Sequence, residues 1–222
     1  MQNRQNKHII FFDLDGTILN GISSENRFIL YLLFHGYIKP KAIWHSLLFL
    51  FRWLFKYKKQ IFVKNKCYLS TSDYNRINDL GKMIIHKKII KKIRPQLLNI
   101  IAEHKKQGDI LFLLTGAPIF LAKILAEYLQ IDNIEATNFE ILNGSFTNKA
   151  PLQHPYGQEK LIIALRVCKA YGVDIKSTTA YANAKHDIFL LAAVGTPIAV
   201  TPDKKLFQYA KKRGWKIIGN AS

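Results

Sequence analysis

Cysteine, acidic residues and long apolar runs are scarce in this chain, and each scarcity removes a class of protein. Only two cysteines occur in 222 residues, Cys67 and Cys168. Each lies inside an apolar-periodic segment, so both are expected as buried, reduced thiols rather than as a disulfide or a metal pair. His8, His35, His45, His86, His104, His154 and His186 show no metal-ligand spacing. Met1 to Lys7 is polar and lacks the apolar core of a secretory signal, which leads us to expect a cytoplasmic protein. There is no internal repeat, no low-complexity linker, and no helix-turn-helix, zinc or RNA-recognition signature. The apolar, aromatic stretch Ala42 to Phe55 includes an arginine and stops short of the roughly 20 residues that span a bilayer.

Acid is the deepest deficit. The chain has 15 Asp+Glu against 33 Lys+Arg, a net charge of +18. From Asn26 to Ser72 there is no acidic residue, while Arg27, Lys39, Lys41, Arg52, Lys56, Lys58, Lys59, Lys64 and Lys66 are basic. A field of that sign attracts phosphate on lipid, nucleic acid or small metabolites; a lysine-rich solvated surface without any partner is the alternative. Apolar content of 49% is ordinary for a packed globular protein, and the length suits one sizeable domain or a core with an insert.

What the chain does contain is an ordered set of small motifs. The apolar run Ile9-Ile10 leads into Phe11-Phe12-Asp13-Leu14-Asp15-Gly16-Thr17: two carboxylates, two residues apart, at the end of a buried strand and the start of a turn. Side chains at period two leave a strand on the same side, so one carboxylate can attack while the other stands over the same reacting atom. A strand end with an ordinary Asp-Gly turn is the bland alternative. A long helical region, about 22–92, follows. Strands and helices then alternate: a strand from Asp109 to Leu114 ending at Thr115-Gly116, a helix opened by Pro118, a strand from Ile134 to Ile141 with a hairpin signal at Asn143-Gly144, and a helix from Gln158 to Tyr171. Strands at Thr178 to Ala182 and Pro197 to Val200 flank a helix around 186–194, and a helix over 203–213 leads to a strand from Trp215 to Ile218. Such alternation predicts an α/β protein with a parallel sheet covered on both faces, whose sites form at the carboxyl ends of strands. Asp13, Thr115 and Asn183 all stand at such ends.

The order Asp13-Leu14-Asp15-Gly16-Thr17, then Thr115, then Lys160 opening a helix, then Tyr181-Ala182-Asn183-Ala184-Lys185-His186-Asp187, resembles the haloacid dehalogenase (HAD) superfamily of phosphohydrolases. Within it the likeness is to the phosphoserine-phosphatase-like branch, and there to hydrolases related to phosphatidylglycerophosphate phosphatase, which the stretch Leu190 to Asp203 and Arg213-Gly214-Trp215 also resembles. The resemblance implies a Rossmann-like, doubly wound core, residues 1–20 and 93–222, with an inserted helical cap, 21–92. It implies a phosphomonoester hydrolase in which Asp13 attacks phosphorus and forms an aspartyl-phosphate. Asp15 would serve as general acid and then base, Thr115 and the Gly116 N–H would bind phosphoryl oxygens, and Lys160 would neutralise charge and steady Asp13. Mg²⁺ is the implied cofactor, held by Asp13, Asp15 and the residue at 183, with Asp187 as a direct or water-bridged ligand. The family usually carries aspartate where this chain has Asn183, and serines where it has Ala182 and Ala184. A carboxamide oxygen still ligates Mg²⁺ but brings no charge, so weaker metal affinity is expected; compensation by Asp187, or impaired catalysis with only a binding role, stays open.

For Lys160 the alternative is a solvated helix-start lysine, for Thr115 a helix cap, and for His186 a solvated helix-start histidine. The cap leaves the substrate open. Ala42 to Phe55, with Trp44, Trp53 and the neighbouring Arg52, Lys56, Lys58 and Lys59, reads either as a helix packed within the cap or as an interfacial helix on anionic lipid. The first fits a soluble phosphorylated metabolite, the second an amphiphilic lipid phosphate and an enzyme peripheral to the inner face of the membrane. Nucleic acid is not the expected partner, because the aromatics sit in apolar runs rather than interleaved with basic residues.

Overall fold

The computed structural model describes residues 8–57 and 61–221; Met1 to Lys7, Lys58 and Lys59 lie outside the described residues. Six parallel strands form one sheet in the order β3-β2-β1-β6-β7-β8. They are β1 (Ile9–Phe12), β2 (Ile110–Pro118), β3 (Asn133–Thr137), β6 (Thr179–Ala182), β7 (Thr196–Val200) and β8 (Lys216–Ile218). β1 is central, paired with β2 on one side and β6 on the other. Its four apolar residues are all buried and alternate between the faces as the pleat requires. Ile10 and Phe12 join one cluster with Leu97, Phe120 and Leu125. Ile9 and Phe11 join another with Ile163, Val167, Leu190 and Leu206. Strands buried on both faces are the hallmark of a parallel sheet with helices above and below, and the expected fold class is what the chain adopts.

The helices that cover the sheet are α5 (Pro95–Lys106), α6 (Ile119–Leu129), α7 (Gln158–Tyr171), the short α8 (Ile188–Leu191) and α9 (Lys204–Arg213). α7 starts and stops where its apolar stripe predicts. Elsewhere the boundaries differ for local reasons. β2 does not end at Leu114. Its pairing with β3 shifts register between Leu114 and Pro118, so Thr115-Gly116 sits in a bulge, a feature that re-aims side chains near sites. The expected helix around 186–194 is a 3-10 turn, Lys185–Asp187, followed by the single turn of α8. The expected strand 134–141 is two elements: β3, then β4 (Ile141–Leu142) paired antiparallel with β5 (Ser145–Phe146). Asn143 and Gly144 connect them with φ of 49° and 73°, the positive pair that a two-residue hairpin of this twist needs.

Between β1 and α5 the chain is helical: α1 (Ser24–Phe34), α2 (Pro40–Tyr57), the single turn α3 (Ile61–Lys64) and α4 (Tyr74–Ile84), which runs on through a π turn, Ile85–Ile89. Phe28 and Leu32 of α1 and Ile77 and Ile84 of α4 belong to the same apolar cluster as Ile10 and Phe12. α2 behaves differently. Among its described side chains only the apolar residues Ala42 and Phe49 are buried, and Phe49 packs in a small separate cluster with Ile61 and Cys67. Cys67 and Cys168 are free and buried, and burial pushes the Cys67 thiol up to about 11.

Candidate active site

The strand order reverses across β1 and β6, and the residues that follow them meet there. Asp13 leaves β1 with its backbone N–H still donating to the Tyr181 carbonyl, 2.9 Å away, so its position is set by the sheet. Both carboxylate oxygens are engaged. Lys160 Nζ donates to Oδ1 at 2.7 Å and the Thr17 hydroxyl to Oδ2 at 2.9 Å. Lys160, at the first turn of α7, also donates to Asp187 Oδ1 at 2.7 Å. It is only 1% exposed, so it is no solvated surface lysine. Burial by itself would lower the Lys160 pKa, but Asp13 and Asp187 overcome it and the group is held charged, above its ordinary value. Burial raises Asp13, against the opposing pull of Lys160.

Asp187 lies behind this lysine. It is fully buried, its Oδ1 taken by Lys160 and its Oδ2 accepting from the Ala184 N–H at 3.3 Å. Asp15 is oriented from the other direction. The backbone N–H and the hydroxyl of Ser24, at the start of α1, donate to its two oxygens at 2.7 and 3.1 Å. Burial raises its carboxyl to about 7, with the Ser24 N–H working against the shift. A carboxyl that exchanges its proton near neutrality can serve as acid and then as base.

Asn183 follows β6, and its carboxamide lies over Gly16. Gly16 has φ +83°, and a Cβ there would stand 2.1 Å from Asn183 Nδ2. The Thr17 hydroxyl is 3.3 Å from Asn183 Oδ1 as well as 2.9 Å from Asp13 Oδ2, so these two oxygens converge on one point. Among the described residues no three Asp, Glu, His or Cys side chains are grouped to hold a metal. A divalent cation here would therefore meet oxygen donors that include the neutral Asn183 carboxamide. Oxygen-only ligation suits Mg²⁺, which keeps several waters and needs few protein ligands.

Asp13, Asp15, Thr115, Gly116, Lys160 and Asn183 all line one cleft of about 430 Å³; Asp187 does not. The Thr115 hydroxyl is buried and accepts from the Ala117 N–H at 3.1 Å, tying down the bulge. Gly116 is fixed through its carbonyl, which accepts from the Thr137 hydroxyl at 2.6 Å. That hydroxyl has spent its proton, so His154 Nδ1, 2.7 Å away, must donate to it. Burial first, then the nearby Lys66, lowers the imidazole to about 3, so it donates as the neutral ring with its proton on Nδ1. His186 lines the cleft too, stacked on Tyr156 at 4.3 Å. The cleft is also lined by Glu25, Ile29, Phe62, Val63 and Lys66, from the mainly helical stretch between β1 and α5. Lys66 is buried and donates to Glu25, whose other oxygen accepts from the Tyr68 hydroxyl at 2.9 Å.

Thr17, Ser24, Glu25, Lys66 and His154 escaped the sequence-based list. Thr17 stood inside the first motif and Ser23-Ser24-Glu25 is a recognisable helix start, so those had a signal. Lys66 and His154 had none, because only tertiary contact brings them to the cleft.

Gly16 offers a direct check. Alanine at 16 should cost about 1–2 kcal/mol for the left-handed backbone, which for a chain of this size lowers the melting temperature by about 2–8 °C. Because its methyl displaces the Asn183 carboxamide, turnover of an aryl phosphate should fall at least about tenfold in a protein that still folds. Unchanged turnover would mean that the placement of Asn183 is immaterial.

Residues 10–192 match the family described as haloacid dehalogenase-like hydrolase. The chain belongs to this family of hydrolases, and within it resembles the phosphatases. It is 27% identical over 221 residues to a putative hydrolase of Mycobacterium leprae, a match covering 93% of this chain and 71% of that one. Over 140 residues it is 30% identical to a phosphoserine phosphatase of Mycobacterium tuberculosis, covering 62% of this chain and 45% of the relative, less than half its length. A solved phospho-aspartyl intermediate analogue of phosphoserine phosphatase shares 18% identity, with a TM-score of 0.64 over 96% of this chain and 93% of that one. At that identity the likeness is one of fold.

Proposed function

We propose that the protein hydrolyses phosphate monoesters through a phosphorylated Asp13. The observation that carries this is the triple engagement around that carboxylate: Lys160 on one oxygen, Thr17 on the other, and Lys160 held in turn by Asp187. A carboxylate so fixed is a preorganised nucleophile, and the buried cation beside it counters the charge that spreads over a transferring phosphoryl group. Thr115 and the Gly116 N–H bind phosphoryl oxygens across the cleft. Asp13 forms a bond to phosphorus as the ester P–O bond breaks, and Asp15 gives its proton to the departing alkoxide. Asp15 then takes a proton from water, whose oxygen attacks phosphorus, releasing inorganic phosphate and restoring Asp13. The likeness to phosphoserine phosphatases, one of them solved as a phospho-aspartyl analogue, supports the covalent route.

Mg²⁺ is the cofactor we assign, held by the Asp13 carboxylate, the Asp15 backbone carbonyl and the Asn183 carboxamide oxygen. When bound it supplies charge stabilisation at the phosphoryl oxygens. Asp187 serves as the charge partner of Lys160 rather than as a ligand, because it is fully buried beside that lysine and does not line the cleft. The substrate is an organic phosphate monoester whose leaving group meets Ile29, Phe62 and Val63 and the pair Glu25–Lys66. That pair is internally neutralised, so the wall offers no free charge for the ammonium or carboxylate of an amino-acid phosphate.

The test is turnover of an aryl phosphate titrated with Mg²⁺, for the wild type and Asn183→Asp. Restoring a charged ligand should lower the Mg²⁺ concentration for half-maximal rate by about tenfold, one charge-assisted contact. A metal requirement that does not move would place Asn183 outside the coordination sphere. No turnover by either protein at any Mg²⁺ concentration would defeat the hydrolase reading.

A further inference from the structure

We infer that α2 is a docking face for anionic membrane surface. The helix is divided into three. At 100° per residue, Ala42, Ser46, Phe49 and Trp53 share the inward side, and Ala42 and Phe49 are buried there. Ile43, Trp44, Leu47, Leu48, Phe51, Leu54 and Phe55 all fall within an arc of about 140° on another side, and every one is exposed, Phe51 by 86% and Phe55 by 88%. Lys41 and Arg52, both exposed, flank one edge of that arc, and Lys56 follows further round toward the inward side.

An apolar face this wide, open to water, marks an interaction surface. Its chemistry selects the occupant. A basic edge beside an apolar, Trp-bearing face is the pattern of a helix lying in a lipid interface with its cations at headgroup level. The surrounding segment, Asn26 to Ser72, carries no acidic residue that anionic headgroups would have to oppose. A protein partner seated there would need acidic groups matched to particular lysines; a bilayer needs only a field of negative charge. Among the described residues no helix is long and apolar enough to cross a membrane, so the helix lies on the surface. Phe34, 84% exposed, ends α1 next to it in the chain, and α3, whose Ile61 packs on Phe49, carries Phe62 both onto the cleft wall and into solvent. Through Phe49 and Ile61 the docking helix is thus packed against the short turn that lines the cleft. Docking itself does not rest on the catalytic reading.

The experiment is co-sedimentation of the whole chain with vesicles of phosphatidylcholine and with vesicles of equal parts phosphatidylcholine and phosphatidylglycerol, at low and high salt. Binding to the anionic vesicles should be strong and should weaken with salt, with little binding to phosphatidylcholine alone. F51D/F55D, which touches no residue of the cleft, should lower partitioning at least about tenfold while leaving aryl phosphate turnover unchanged. K41E/R52E should remove the preference for anionic lipid with the apolar face intact. D13N should bind as the wild type does, which separates docking from chemistry. Three results would overturn the inference: no binding at either salt, binding that neither pair of substitutions affects, or a dimer in sedimentation velocity that F51D/F55D dissolves in a protein that ignores vesicles.

Discussion

Replacing Asp13 with asparagine will abolish turnover, lowering kcat on an aryl phosphate by at least about 10⁴-fold, the scale on which removal of a catalytic nucleophile acts. The substitution is nearly isosteric, and its effect is chemical. A carboxamide has no anionic lone pair to attack phosphorus, and it forms no acyl phosphate that water could cleave. Structure should survive. Lys160 keeps Asp187 at 2.7 Å, and the Asp13 N–H still pairs with Tyr181. Loss of rate without loss of fold is thus the expected pair of results, read by turnover and thermal melting on one preparation. A second readout is independent of turnover: beryllium fluoride with Mg²⁺ should give a bound ¹⁹F signal with the wild type and none with the variant. Equal rates for the two proteins would end the covalent mechanism.

How much of this was legible before the structure follows from where the information lies along the chain. Local signals read well. Ile9 to Phe12 is uniformly apolar because the strand is buried on both faces, Asn143-Gly144 can adopt the two positive φ values of a tight hairpin, and the stripe of α7 covers its observed span. The gathering of Asp13, Thr115, Lys160 and Asn183 at one cleft could be anticipated because parallel strands deliver their carboxyl ends to the same edge. Contacts that depend on long-range placement could not. The Lys66–Glu25 pair spans 41 residues and the His154–Thr137–Gly116 chain joins two segments at the bulge; in the sequence these are a lysine among many and a histidine without ligand spacing. The second motif was misjudged in extent because a bulge continues β2 past Thr115. For α2 the difficulty was different. Apolar residues on two sides of a helix look alike whether they meet protein or solvent, and only the structure separates buried Phe49 from exposed Phe51.

Lys160→Met carries the other large effect, and here it falls on both stability and rate. The variant keeps most of the buried side chain's volume but leaves Asp13 and Asp187 inside the protein without their shared cation. Removing one member of a buried ionic cluster costs about 3–5 kcal/mol, which should lower the melting temperature by about 6–20 °C. Loss of packing alone would predict a smaller change, and a double substitution separates the two causes. In Lys160→Met/Asp187→Leu one stranded carboxylate is gone, so part of the stability should return even though more side chains have been altered; such coupling is expected only of groups in direct contact. Turnover should not return with it, because no cation remains beside the Asp13 oxygen that Lys160 held at 2.7 Å. A single variant as stable as the wild type, or a double variant whose loss is the sum of its parts, would mean that the Asp13–Lys160–Asp187 bridge does not hold the site together. Stability restored without catalysis would show instead that Lys160 has two separable duties: neutralising buried charge in the resting fold, and countering the charge of the phosphoryl group in transit.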